Sequence, residues 1–351
     1  MHLRNGFLDR QTGIGRISRI WPTETLITLF EDAAIPVSEI GSSEERECII
    51  LRDENGNNIE YTDDENTIQK RDLLRNYNAL LKTVFIDIPY LNDAFEIEHP
   101  NLIPERRSRL QIQLHEKFVY RVFNRSSFEL GGRFYGGWWQ GISQENRGRI
   151  FMDDWPVSEI DYSGLHIALL YAEQNINYWD ELGFDPYVIP TPDFVLSDHH
   201  CRDICKKLLL VGINSQNDRS TFGAFRQQAP NGSYQKRLTN PELLVILNSL
   251  RDLHPVISGS IASDAGIRLM NTDSHITARI LDHFTQQAIP VLPIHDSYLI
   301  PYGMEHELTE AMNNEPPPVC RRLQSKYGWS PWKKVTEPTD FRLRCVPARF
   351  G

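Results

Sequence analysis

Two short apolar segments, each interrupted by one aspartate, constrain the fold of this chain more than any other feature. Val157–Glu173 (VSEIDYSGLHIALLYAE) has the pattern of a strand that ends at Asp161, followed at once by a helix with an apolar face. Ile289–Pro301 (IPVLPIHDSYLIP) has two apolar runs around Asp296, the pattern of a hairpin. Lone carboxylates at strand ends suit a divalent metal. The sequence therefore predicts that folding brings the two aspartates together around a metal.

The charge of the chain is unevenly distributed. The formal net charge of the 351 residues is −10, which on its own disfavours a nucleic-acid partner. Residues 31–65 hold 12 acidic and two basic residues, however, whereas residues 106–149 hold nine basic and three acidic residues. The basic segment directly precedes the Asp161 strand. Nucleic acid therefore stays a candidate partner, with its contacts expected in the basic segment.

The overall composition is that of a globular protein. Hydrophobic residues make up 40% and aromatic residues 10% of the chain. No apolar run approaches the length of a membrane span, so no membrane partner is expected. The five cysteines are scattered and odd in number, which favours a reducing, cytoplasmic location over a disulfide framework. Protein partners stay open.

Several other segments have helix or strand patterns. Helices are predicted over residues 23–34, over about 15 residues from Thr67, and over 199–213, 241–253 and 274–287, and a hairpin over 48–63. Residues 106–125 are amphipathic and basic, with a four-residue apolar period that predicts a core-facing stripe. Residues 131–142 (GGRFYGGWWQGI) are interpreted, on composition alone, as a buried aromatic corner.

Four sequence blocks surround the two aspartates in a fixed order. In chain order they are Gly132-Arg133 with Gln140-Gly141-Ile142, Arg147 and Arg149; then Asp161-Tyr162-Ser163; then Arg202 with Lys206 four residues later; and finally His295-Asp296-Ser297. Each block is weak alone, but the ordered set resembles the polymerase core of family A DNA polymerases and of phage-type single-subunit RNA polymerases. The resemblance covers roughly residues 106–312.

This resemblance implies an α+β fold with a right-hand polymerase core. It implies a palm with an antiparallel sheet at residues 105–165 and 260–351, reduced helical fingers at 166–259, and a small N-terminal α/β domain at 1–104, either accessory or thumb-like. The spacing leaves no room for a proofreading exonuclease domain. The implied function is a compact nucleotidyltransferase that extends a DNA or RNA primer on a template. By analogy, its process is replication or repair in a mobile element or phage-like system.

The resemblance also assigns roles to single residues. Asp161, Asp296 and the backbone carbonyl of Tyr162 are implied ligands of two Mg²⁺ or Mn²⁺ ions, the arrangement that nucleotidyl transfer needs. Arg202 and Lys206 are implied to hold the nucleoside triphosphate, together with Tyr162, and Lys206 to protonate the leaving pyrophosphate. The implied nucleic-acid contacts are Arg133, Gln140, Arg147, Arg149 and His295.

Two positions depart from the family pattern, and both belong to the implied nucleotide site. His166 stands five residues after Asp161, where the DNA polymerases carry a glutamate that blocks the ribose 2′-hydroxyl. Asn214 stands where the fingers helix usually carries a tyrosine. The choice between dNTPs and rNTPs, and the need for a template, are therefore open. The alternatives are a primase or template-independent nucleotidyltransferase, and a catalytically silent nucleic-acid-binding protein.

Overall fold

A computed structural model describes residues 2–4, 7–8, 15–16, 19–33, 46–89, 96–97, 110–111 and 114–314. These residues form fifteen strands: β1 His2–Arg4, β2 Phe7–Leu8, β3 Gly15–Arg16, β4 Arg19–Trp21, β5 Ile49–Arg52, β6 Asn58–Ile59, β7 Ile86–Asp87, β8 Glu96–Ile97, β9 Leu110–Gln111, β10 Tyr120–Asn124, β11 Ser127–Tyr135, β12 Phe151–Met152, β13 Trp155–Asp161, β14 Leu292–Ile294 and β15 Ser297–Pro301.

The same residues form ten α-helices and three shorter helical turns. The helices are α1 Glu24–Ala33, α2 Glu65–Thr83, α3 Gln144–Arg147, α4 Leu165–Glu173, α5 Asp198–Ile213, α6 Asp218–Gln228, α7 Tyr234–Arg237, α8 Asn240–Leu253, α9 Gly266–Gln286 and α10 Glu305–Asn314. The turns are 3₁₀ at Trp138–Gly141 and Pro255–Ser260, and π at Tyr178–Leu182.

A five-stranded antiparallel sheet carries both aspartate segments. Its strand order is β14-β15-β13-β12-β7. The strands β13 and β15 pair over five residues, with Asp161 opposite Ser297 and Ile160 opposite Tyr298. Alternation along the strands turns apolar side chains toward the core, and Ile160 and Tyr298 are buried there. The predicted strand and hairpin are therefore confirmed.

A second, four-stranded sheet has the order β11-β10-β5-β6, with β5 parallel to β10. Helix α2 joins this sheet through the amide of Asn78, which donates to the carbonyl of Val119 and accepts from its N–H, both at 2.8 Å. The core-facing stripe predicted over 106–125 is confirmed at Val122, which is buried in β10. It is wrong at Leu114, which belongs to the same four-residue period and is 39% exposed.

The helices between the two aspartate segments pack on one another and on α9. Apolar side chains from three of these helices are fully buried: Leu208 and Leu209 of α5, Phe225 of α6, and Leu243, Ile246 and Leu247 of α8. Helix α5 starts where the sequence predicts it, because the Ser197 hydroxyl caps it by accepting from the His200 N–H. The predicted helices at 23–34, 67 onward, 241–253 and 274–287 are also confirmed, with α9 beginning earlier than expected.

The described residues thus form an α+β fold, and within them no helix has the length and apolar character of a membrane span. Residues 46–89 contribute strands to both larger sheets, β5 and β6 to one and β7 to the other. The proposed boundaries at 104, 165 and 259 stay predictions. The part of the proposed palm beyond residue 314 and most of the linker around 90–109 lie outside the described residues.

Candidate active site

The two predicted carboxylates lie at the same end of the antiparallel sheet. Asp161 is the last residue of β13, and Asp296 lies in the two-residue loop that joins β14 to β15. The Tyr162 N–H donates to the backbone carbonyl of Asp296 at 3.1 Å, which ties the two strand ends together. His295 completes the tight loop with a φ of 66°, a conformation that few non-glycine residues adopt.

The environment of Asp161 is unusual for a carboxylate. Its Oδ1 atom is buried and accepts a hydrogen bond from no described residue. Burial first, and then the negative charge of Asp296, raise the pKa of Asp161 to about 7, while the Lys206 charge opposes the rise. A buried acceptor beside a second carboxylate favours a bound cation. The chemistry of this pair therefore fits a divalent metal.

The donor set for such a metal is small. Among the described residues, no group of three or more histidine, cysteine or acidic side chains is clustered for metal binding. A metal at this pair would therefore have three protein ligands: Asp161, Asp296 and the backbone carbonyl of Tyr162. Mg²⁺ suits a set this small, because it keeps several waters and binds substrate phosphates directly.

Gly164 lets the chain turn sharply from β13 into α4. Its φ of 64° places it in the left-handed region, where a glycine costs nothing and other residues are strained. A Cβ atom at Gly164 would lie 3.7 Å from the hydroxyl of Tyr187 and 3.5 Å from Trp179. The segment around Tyr187 therefore packs directly over the loop that carries Asp161.

The two cations of helix α5 face the same region. Lys206 Nζ lies 5.9 Å from the centroid of the Tyr187 ring, and the Lys206 charge lowers the pKa of Asp161. The guanidinium of Arg202 binds Asp185, with Nε–Oδ2 and Nη2–Oδ2 distances of 2.8 and 2.7 Å. The structure thus places Arg202 and Lys206 along one helix face and Lys206 toward the carboxylates.

A buried polar network stands beside the carboxylates. Arg133 forms an ion pair with Asp273 of α9 (Nη2–Oδ2 3.0 Å), whose side chain is 1% exposed. The same Nη2 donates to Nε2 of His166 at 3.3 Å. Burial and the Arg133 charge lower the pKa of His166 to about 4, so the ring is neutral and accepts this hydrogen bond. The predicted contact of His166 with a sugar stays a prediction, because its observed partner is Arg133.

Three of the predicted nucleic-acid contacts bind the protein itself. Arg147 forms a partly buried ion pair with Glu159 of β13. The amide of Gln140 donates to the Phe134 and Pro293 carbonyls, at 3.1 and 3.0 Å. Arg149 is exposed and pairs with Glu145 at 3.1 Å. Their contacts with nucleic acid stay predictions.

The aromatic stretch 131–142 supports the hairpin that carries Asp296. Trp139 is fully buried, and its indole N–H donates to the carbonyl of Pro293 in β14 at 3.1 Å. The interpretation as a buried aromatic corner is therefore confirmed. His295 projects from the hairpin, and its ring centroid lies 6.1 Å from that of Tyr135. Partial desolvation and the Arg133 charge lower the pKa of His295.

Asn214 is at the C-terminal end of α5, far along the helix from Arg202. It is exposed, and its Nδ2 donates to the carbonyl of Leu210 at 2.7 Å. It lines a cavity of about 660 Å³ between α5, α6 and α9 together with Lys206 and Met270. The structure therefore places Lys206 at both this cavity and the carboxylate pair.

Sequence reasoning missed three residues of this region. Asp185 binds Arg202, Tyr187 lies over the Asp161 loop, and Asp273 binds Arg133. Each is far in sequence from its partner and belongs to no spaced motif. The helical period of residues 266–286 places Asp273 on the apolar face of α9, which is the one signal that the sequence offers.

No protein-family model matches this chain, and no curated protein matches it either.

Proposed function

We propose that this chain is a metal-dependent nucleotidyltransferase, a compact family A-like polymerase that extends a nucleic-acid primer with nucleoside triphosphates. One observation carries the proposal. The pairing of β13 with β15 brings the Asp161 and Asp296 segments together, a buried oxygen of Asp161 accepts from no described residue, and the charge of Lys206 of α5 acts on that carboxylate. Carboxylates facing a cationic helix suit a ligand that carries both metal and phosphate.

The proposed metal ligands are Asp161, Asp296 and the Tyr162 carbonyl. A bound Mg²⁺ or Mn²⁺ pair would supply charge neutralisation for the triphosphate and would lower the pKa of the attacking primer hydroxyl. The protein's own contribution is to hold the carboxylates rigidly. The antiparallel register and the hydrogen bond from Tyr162 to Asp296 do so, and they support the proposal for that reason.

The cations of α5 have separate roles in this proposal. Arg202 binds phosphate oxygens through a planar fork of donors, which matches a triphosphate well. Lys206, whose charge acts on Asp161, gives a proton to the leaving pyrophosphate. His166 and Asp273 both contact Nη2 of Arg133 and fix the orientation of its guanidinium. In this scheme the five-stranded sheet is the palm and α5–α8 are the reduced fingers.

A primer-extension assay tests the proposal. The purified chain is supplied with Mg²⁺ or Mn²⁺, with dNTPs or rNTPs, and with or without primer and template. We expect incorporation by the wild type and a loss of at least about 1,000-fold in both Asp161→Asn and Asp296→Asn, because each removes a metal ligand. Asp252→Asn is the control, since Asp252 is exposed on α8 and outside the site.

The outcomes separate the alternatives. Full synthesis by either site variant would overturn the assignment of the carboxylates. Incorporation that ignores template sequence would favour the template-independent alternative. Binding of nucleic acid that weakens steeply with salt, with no incorporation under any metal or nucleotide, would instead indicate a catalytically silent binding protein.

A further inference from the structure

The segment Asp185–Tyr187 lies between the cations of α5 and the carboxylate pair. The ring of Tyr187 stacks against both cations, with its centroid 5.6 Å from Arg202 Cζ and 5.9 Å from Lys206 Nζ. At its other end, the hydroxyl reaches the Asp161 loop, 3.7 Å from the Cβ position of Gly164. Tyr187 therefore reaches from the two cations of α5 to the loop that follows Asp161. A triphosphate bound to those cations and to a metal at Asp161 would lie along the same path.

Electrostatics place the same hydroxyl in the field of the carboxylates. Burial, followed by the charges of Asp185 and Asp296, raises the pKa of Tyr187 above its ordinary value. The phenol is protonated at neutral pH, as an ordinary tyrosine is, and the carboxylates nearby reinforce this state, so it is a hydrogen-bond donor there. The Tyr187 hydroxyl can therefore donate to an anionic ligand such as a phosphate oxygen. A metal at the carboxylates would offset the negative charge of that ligand.

Asp185 holds this segment and Arg202 in one arrangement. Its Oδ1 accepts from the Tyr187 N–H at 2.9 Å, and its Oδ2 accepts from Arg202 Nε at 2.8 Å. Both carboxylate oxygens are thereby engaged. One side chain thus fixes the backbone at Tyr187 and the orientation of the guanidinium at the same time.

The segment is also anchored from the opposite side. The carbonyl of Pro186 accepts from Nε2 of His254 at 2.9 Å, and Nδ1 of His254 accepts from the Tyr171 hydroxyl at 3.0 Å. His254 is fully buried. Because the segment is held through both Asp185 and Pro186, Tyr187 is a preorganised wall of the site.

We propose that the hydroxyl of Tyr187 is a further ligand of the triphosphate of the incoming nucleotide, and that Asp185 is the positioning residue which holds Tyr187 and Arg202 in place. The proposal rests on the proposed nucleotidyltransferase function and deepens it. The ligand class is a polyphosphate. The base and sugar of the nucleotide play no part in the contact.

Binding of inorganic triphosphate to the full chain in Mg²⁺ tests the proposal by calorimetry, without any reaction. We expect Tyr187→Phe to weaken binding about 10- to 100-fold, the loss for one hydrogen bond to a charged acceptor. Asp185→Asn should weaken it about 3- to 10-fold through poorer orientation of Arg202. Tyr302→Phe is the matched control, since Tyr302 is exposed and outside the site, and its binding should equal that of the wild type.

Steady-state kinetics distinguish positioning from a merely structural effect. In both Asp185→Asn and Tyr187→Phe we expect the KM for nucleotide to rise, while kcat stays within about threefold and the KM for primer is unchanged. Thermal melting verifies that each variant is folded. A variant that is only less stable would lose active protein and lower kcat instead.

The failure of this inference is distinguishable from failure of the proposed function. Equal binding of triphosphate by Tyr187→Phe and the wild type would overturn the assignment of Tyr187, whatever the chain catalyses. Unchanged KM for nucleotide in Asp185→Asn would overturn the positioning role. Tight, Tyr187-dependent binding of triphosphate with no nucleotide incorporation would support the ligand assignment and refute the polymerase proposal.

Discussion

Glu159 and Asp161 are two carboxylates on the same strand, two residues apart, and they meet opposite environments. Glu159 accepts from Arg147 at both oxygens, at 2.6 and 3.0 Å, and from the Ser297 hydroxyl at 2.9 Å. Asp161 has a buried oxygen without a described donor and a like-charged neighbour in Asp296. Residues spaced by two share a face of the strand, so position alone does not cause the difference.

The difference shows that the fold supplies hydrogen-bond donors to Glu159 and leaves an oxygen of Asp161 available to a ligand. A buried charge is costly unless it is paired, and proteins pair nearly all of them. Asp273 is deeply buried too: its Oδ2 pairs with Arg133, while its Oδ1 accepts from no described residue. Burial raises the pKa of both aspartates. The charge with the largest effect on the pKa of Asp273 is that of Arg133, but for Asp161 it is that of a neighbouring carboxylate, Asp296, where a metal and a triphosphate are proposed to bind. Local rules are broken mainly where function requires it.

The largest expected effect on stability comes from breaking the satisfied pair. Glu159→Gln leaves the guanidinium of Arg147, 14% exposed, without its carboxylate. We expect the free energy of unfolding to fall by about 3 kcal/mol, the typical cost of leaving one partner of a buried ion pair alone. Urea unfolding followed by circular dichroism measures this change.

A second ion pair in the same region provides the control. Arg149 and Glu145 are 57% and 75% exposed, so Glu145→Gln should change the free energy of unfolding by less than about 0.5 kcal/mol. Equal losses in Glu159→Gln and Glu145→Gln would show that burial does not distinguish the two pairs.

Removing the charge of Asp161 should have the opposite sign. The folded pKa of Asp161, about 7, lies above the ordinary aspartate pKa of 3.8. The folded chain therefore binds more protons between these two values and loses stability as pH rises through them. In metal-free buffer at pH 8, Asp161→Asn should therefore be more stable than the wild type, by on the order of 2 kcal/mol. The gain should shrink to below about 1 kcal/mol near pH 4, where the carboxyl is protonated in the folded state and about half protonated in the unfolded state.

Urea unfolding in EDTA at pH 4 and pH 8 measures this difference. Asp273, whose pKa burial also raises to about 7, is present in both proteins and cancels in the comparison. If the wild type is more stable than Asp161→Asn at pH 8 without metal, the claim that the ionised Asp161 carboxylate destabilises the metal-free fold is wrong.

The sequence predicts the local elements of the site and its central pair. Asp161 and Asp296 each follow an apolar run, which predicts that a strand and a hairpin place them at strand ends. Their approach follows once β13 and β15 pair. Helix α5 was predictable for a similar reason, since the Ser197 cap and the apolar period are local signals.

The remaining features depend on contacts between distant segments. Asp185 meets Arg202 across 17 residues, and Arg133 meets Asp273 across 140, with no spacing rule to indicate either pair. The four-residue period through Val122 did not reveal the strand β10, because residues 121–123 are all buried and show no alternation. Burial pattern identifies core positions there, but not the type of element.

Binding of Mn²⁺ tests the central claim most directly, because it needs no nucleic acid and no turnover. Electron paramagnetic resonance at pH 8 measures free Mn²⁺ against the wild type, Asp161→Asn, Asp296→Asn and Glu159→Gln, each at a temperature where it is folded. We expect the wild type and Glu159→Gln to bind Mn²⁺ alike, and both aspartate variants to bind at least about tenfold more weakly. Undiminished binding by Asp161→Asn and Asp296→Asn would contradict a metal site at the carboxylate pair.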